Sequence, residues 1–138
     1  QGRRMIRQVL EHFITLQTHP LDKLRTAIQV HLFLTEKMHE WFYFSYMEAR
    51  NLSPEERERS VQSELYTEKI FEGILVEGCE KNVFKPANHT LCASVIKAML
   101  QDWYLKRGKY ARRGIHVDQY AAFVLDFVTA FYRLGHQE

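Results

Sequence analysis

The stretch Val117–Leu134, VDQYAAFVLDFVTAFYRL, decides the fold. Read as a heptad, it sets Val117, Val124 and Phe131 at one repeating position and Tyr120, Phe127 and Leu134 at its partner, which makes a full packing seam. Ala121, Phe123, Leu125, Val128, Ala130 and Tyr132 carry the apolar surface well beyond that seam, leaving Gln119, Asp126 and Arg133 as a narrow polar stripe. A helix with so little polar surface must be covered on two faces. The chain's own core supplies one cover. Few later elements exist to supply the other, so a partner subunit is expected and the chain reads as a helical homodimer.

Upstream, nearly every segment also has helical spacing. Arg3–Thr18 carries Ile6, Val9, Leu10, Phe13, Ile14 and Leu16, and stops at His19-Pro20 because proline disfavours helix in the residue before it. Leu21–Arg50 continues as one bent helix or two. Ser53-Pro54-Glu55-Glu56 starts a long helix, with serine as N-cap, proline at the first helical position and a glutamate placed to complete a capping box. That helix fades at Lys81-Asn82, 83–87 connects, and Asn88 caps a helix running to about Lys106. Its polar positions Ser94, Lys97 and Gln101 form only a thin stripe, so it too is expected to be covered on two sides, with Ala93 and Ala98 allowing close approach. Gly108 and Gly114 mark a loop before the last helix. The result is an all-α bundle of five to six helices, orthogonal or up-down, with no strand-like alternation and no internal repeat.

Composition narrows the function. At 138 residues there is room for one domain, 1–138, and the 46% apolar share with 18 aromatic residues excludes intrinsic disorder. A net charge of +2 is too small for the bulk surface to bind nucleic acid. Cys79 and Cys92 lack metal-type spacing and read as reduced, buried thiols, which suggests the cytoplasm. No apolar run approaches the roughly 20 residues that span a bilayer, so a soluble protein without a membrane role is expected. Gln1 is not an initiator methionine, and the chain enters helical periodicity at once, so it reads as part of a longer protein.

Two stretches resemble one family. EARNLSPE at 48–55, followed by a long helix ending GCEKNVF at 78–84, looks like the tetracycline-repressor (TetR) family of bacterial regulators. FKPANHTLCASVIKAMLQDW at 84–103 is similar to that family's penultimate helix and its lead-in, and the final helix matches the second dimer element. The resemblance implies an effector-binding and dimerisation domain whose last two helices form a four-helix bundle with those of a second copy. Ile96, Met99, Leu100, Val117, Tyr120, Ala121, Val124, Phe127, Val128 and Phe131 would line that interface. The helix-turn-helix that precedes such domains has no counterpart in this sequence, so operator binding carries over to none of its residues. The implied effector is a small, largely apolar molecule, with an acyl-coenzyme A or fatty acid as the preferred class. DNA would be engaged only through the missing segment.

Candidate site residues follow from the aromatics and histidines. Trp41–Tyr46 packs five aromatics into six residues, more than one helix face can hold. Phe42 and Tyr46, four apart, are expected to line a cavity, with His39, Tyr66, Phe71 and Trp103 as further ligand contacts. The competing reading has Phe42 and Tyr46 filling core against Tyr66 and Phe71, which leaves a structural dimerisation domain without a ligand. Glu36 and His39 form a Glu-x-x-His pair of the type found in di-iron bundles, with His31 two turns earlier on a neighbouring face, but the second such pair is missing. A metalloprotein is therefore the weaker alternative, and no cofactor is expected. His12 and His19 are weaker still as ligands. No nucleophile elbow, phosphate-binding glycine loop or activated cysteine is present, so the chain does not read as an enzyme. Two basic clusters, Arg3-Arg4-Arg7 and 106–113, read as a solvated terminus and loop; the first could also support DNA-backbone contacts, and either could attract an anionic effector.

Overall fold

The computed structural model describes residues 2–133, with side chains from residue 4 onward; Leu134 and the side chain of Arg3 lie outside them. Seven α-helices and one 3-10 turn make up the described chain: α1 (Gly2–Thr15), α2 (Pro20–Lys37), α3 (His39–Met47), the turn Ala49–Asn51, α4 (Pro54–Glu80), α5 (His89–Leu105), α6 (Arg107–Arg112) and α7 (Val117–Tyr132). The fold is all-α, as the sequence implies, with one short helix more than expected.

Helix boundaries follow from local chemistry. α1 ends three residues earlier than its periodicity suggests, and His19 then caps α2: its Nδ1 accepts from the Leu21 N–H at 3.1 Å, and Pro20 takes the first helical position. The Leu21–Arg50 run is two helices. It breaks at Met38, which leaves helical geometry at φ −117°, ψ 35°, and α3 starts at the next residue. At α4 the capping box is complete, with Ser53 Oγ accepting from the Glu56 N–H at 3.1 Å and the Glu56 carboxylate accepting from the Ser53 N–H at 3.0 Å. The loop expected around Gly108 contains α6. Tyr110 anchors it by stacking on Trp103, with ring centres 5.2 Å apart, while its hydroxyl donates to Asp102. Gly114, at φ 70°, then reverses the chain into α7.

α2 is the central post. Its buried residues Leu24, Ala27, Ile28 and Leu32 pack with Phe71, Ile74 and Leu75 of α4, Ala93, Ile96 and Leu100 of α5, and Ala121, Val124 and Val128 of α7. The turn after α4 folds tightly back on itself. Phe84 lies over Gly78, where an added Cβ would sit 2.1 Å from the ring, so only glycine admits this approach. The lead-in to α5 is tied to the end of α7, because the Lys85 N–H donates to the Tyr132 carbonyl at 3.1 Å and His89 Nδ1 lies 2.9 Å from the Tyr132 hydroxyl. Among the described residues, no helix is long and apolar enough to cross a membrane.

Candidate functional site

Four helices and the 3-10 turn leave a cleft of about 520 Å³ between them, which Ile6 of α1 also lines. α3, α4 and α5 each contribute residues at three- and four-residue spacing, so each presents one stripe. α3 and the turn supply Trp41, Phe42, Tyr46 and Arg50; α4 supplies Val61, Glu64 and Thr67; α5 supplies Lys97, Gln101 and Tyr104; α2 supplies His31. The volume suits a small organic molecule, and the walls mix aromatic surface with a few polar groups, as ligand sites do.

Polar groups come from α2, α4 and α5. His31 is buried, and its Nδ1 is a buried polar atom with no hydrogen-bond partner among the described residues. Burial, reinforced by the nearby Lys97 charge, lowers its pKa to about 3, so it is a neutral imidazole at pH 7. Lys97 is only 7% exposed, and burial pulls its pKa down, while Glu64 and Glu68 partly offset this. Gln101 donates to Glu64 at 2.6 Å, and burial raises the Tyr104 phenol above its usual range. At the mouth, the Arg57 guanidinium donates to the Arg50 carbonyl at 3.3 Å.

Of the six expected ligand contacts, Phe42 and Tyr46 line this cleft. The other four lie elsewhere. His39 faces a shallow hollow formed with Tyr43 and Phe44, its Nε2 3.2 Å from the Tyr104 carbonyl. Tyr66 is exposed and donates to Glu11 at 2.7 Å, beneath the Arg7 guanidinium. Phe71 is fully buried core, where the spacing along α4 had left core and cavity open. Trp103 is buried too, stacked on Tyr110 and tilted against Tyr120, and its indole N–H donates to Glu36. Phe42 packs with His31, Trp41 and Tyr104 rather than with Tyr66 and Phe71.

The sequence placed neither His31, noted only beside the Glu36–His39 pair, nor Lys97 among the residues lining a cavity. Both sit on buried stripes, His31 between Ile28 and Thr35, Lys97 between Ala93 and Leu100. A polar residue at core spacing was the available signal. Lys97 had instead been placed on a solvated stripe with Ser94 and Gln101; the structure turns it inward.

The expected interface residues divide in the same way. Ile96, Leu100, Ala121, Val124 and Val128 are buried in the chain's own core, so they are not available to a partner. Met99, Val117 and Tyr120 are half-buried, and the Tyr120 hydroxyl donates to the Met99 carbonyl at 2.7 Å. Phe127, 55% exposed, and Phe131 remain outside, joined by Phe123 on α7 and by Leu91 and Val95 on α5. The heptad had put the core seam and the partner seam together; the packed helix separates them.

The Glu36–His39 pair is committed to other partners. Burial would raise the Glu36 pKa, but hydrogen bonds from Arg107 and Trp103 lower it, and Arg107 holds both carboxylate oxygens at 3.0 Å. Among the described residues, no three His, Cys, Asp or Glu side chains come together to hold a metal. Cys79 and Cys92 are free thiols and half-buried rather than buried.

The class this fold defines is an all-helical domain around a cleft of mixed aromatic and polar lining, with room for a small organic molecule. Residues 17–128 match the family model of the tetracyclin repressor-like C-terminal domain, and the chain belongs to that family. No curated protein and no solved structure matches it. The family gives the domain a ligand-sensing and dimerising role in a regulator.

Proposed function

We propose that this chain is the effector-sensing and dimerisation domain of a cytoplasmic, bacterial TetR-like transcriptional repressor. It acts without catalysis and reaches DNA only through a helix-turn-helix segment outside this sequence. The observation that carries the reading is the cleft itself, because it is bounded by α2–α5 and also touched by Ile6 of α1. In the proposed mechanism, a ligand that fills the cleft favours one position of α1 against α4, and α1 passes that shift to the DNA-binding segment. Such a ligand acts only through its differential affinity for the two positions. The apolar walls suit a fatty acid or the acyl group of a coenzyme A thioester.

Dimerisation would use the outer stripes of α5 and α7, where Leu91, Val95, Phe123, Phe127 and Phe131 lie exposed at helical spacing. Sedimentation at micromolar concentration tests this. A dimer is expected for the unmodified chain, and a helical monomer for the double variant Phe123→Asp, Phe127→Asp. A stable monomer from the unmodified chain would refute the interface. Val124 is unsuitable for such a test, because it is buried in the monomer's core.

A further inference from the structure

The geometry points to the class of ligand the cleft takes: an organic acid whose apolar body lies against Trp41, Phe42 and Tyr46 while its carboxylate reaches inward to the Lys97 ammonium, with His31 beside it. This rests on the sensor reading above and adds the chemistry of the ligand's head and its direction of entry.

Three observations lead there. Lys97 lies midway along α5, on the face that buries Ala93, Ile96, Leu100 and Tyr104, where an apolar side chain would complete the core. Yet no carboxylate among the described residues lies within 4.0 Å of its ammonium. The two acids that oppose it, Glu64 and Glu68, act at longer range, and Glu64 is engaged by Gln101. A buried cation without a contacting counter-ion is costly unless an anion or water reaches it. Second, the unpartnered Nδ1 of His31 belongs to a residue lining the same cleft. One anion at the inner end would satisfy a cation whose charge is felt by His31. Third, the same cleft carries aromatic and aliphatic surface, Trp41, Phe42, Leu52 and Val61 among it, so an apolar body has a wall to lie against.

This arrangement selects against a coenzyme A thioester entering tail first. Its terminal methylenes would lie against the ammonium, and its phosphates would depend on the exposed Arg50 and Arg57. The simpler role for Lys97, a buried stem whose charged end reaches water in the cleft, predicts no preference among head groups.

Titration of the full chain with decanoate, 1-decanol, methyl decanoate and decanoyl-coenzyme A separates these cases, with binding read by calorimetry. Decanoate is expected to bind about 10-fold or more tighter than the alcohol and the ester, the size of a charge-assisted hydrogen bond. Lys97→Met should remove that preference while leaving 1-decanol within about 2-fold. Equal binding of acid, alcohol and ester overturns the head-group assignment and leaves the sensor reading standing. Decanoyl-coenzyme A binding more tightly than decanoate, with no effect of Lys97→Met, overturns it in favour of phosphate recognition at the mouth. Binding of none of the four overturns both. The comparison of probes on the unmodified chain needs no variant, so it holds whether or not Lys97→Met folds.

Discussion

The Trp103 side of the molecule and the cleft side treat polar atoms in opposite ways. Trp103, Tyr110 and Tyr120 pack ring against ring, and each polar tip has a partner: the Glu36 carboxylate, the Asp102 carboxylate and the Met99 carbonyl. Across the molecule, α3 buries none of its residues, His31 keeps an unpartnered nitrogen and Lys97 has no contacting counter-ion. The first region has used its hydrogen-bonding capacity in folding. The second has kept some in reserve, as a site that must answer to something outside the chain does.

The most severe test of this contrast is Trp103→Ala. It removes a buried indole, leaves a cavity in the aromatic stack and takes a donor from Glu36. A loss of about 3–5 kcal/mol in urea unfolding is expected, and a loss below about 1 kcal/mol would mean this side is not where stability is concentrated.

Acid should act through the cleft side. The pKa of His31 falls from 6.5 to about 3 on folding, so between those values the unfolded chain binds more protons and stability rises with pH. The contribution is complete above about pH 6.5 and is lost as pH falls towards 3. Going from pH 7 to pH 5 should cost about 2 kcal/mol from this residue. His31→Gln should flatten that slope in urea titrations at the two pH values, and an unchanged slope would show that His31 does not stay neutral in the fold.

The smallest effect sharpens the comparison from below. Phe44, 66% exposed on α3, should change stability by no more than about 0.5 kcal/mol when replaced by alanine. A large loss would mean that α3 is held far more firmly than its lack of buried residues implies.

How legible this was depended on periodicity. The capping box at Ser53, the helix break at His19-Pro20 and the apolar stripes of α5 and α7 could be read because each rests on a local rule or a repeat. The cleft could not be read as a whole. Phe42 and Tyr46 announced themselves through aromatic crowding, but His31 and Lys97 came to line the cleft only when α2 and α5 turned them towards the same space. The same limit explains the interface. Val124 and Phe127 are three positions apart on α7, close enough to share a heptad seam, yet the packed helix buries one and exposes the other. A single sequence shows how much apolar surface a helix carries, not which neighbour covers each part of it.

The chain has only two tryptophans, and they fall on opposite sides of this division. Trp103 is sealed in the aromatic stack, while Trp41 lines the cleft and is partly open to water. Its intrinsic fluorescence is therefore a two-component signal with a built-in reference. Occupation of the cleft should displace water from the Trp41 indole and shift its emission to shorter wavelength while the Trp103 component stays fixed, so that unmodified protein reports its own ligand without a dye or label.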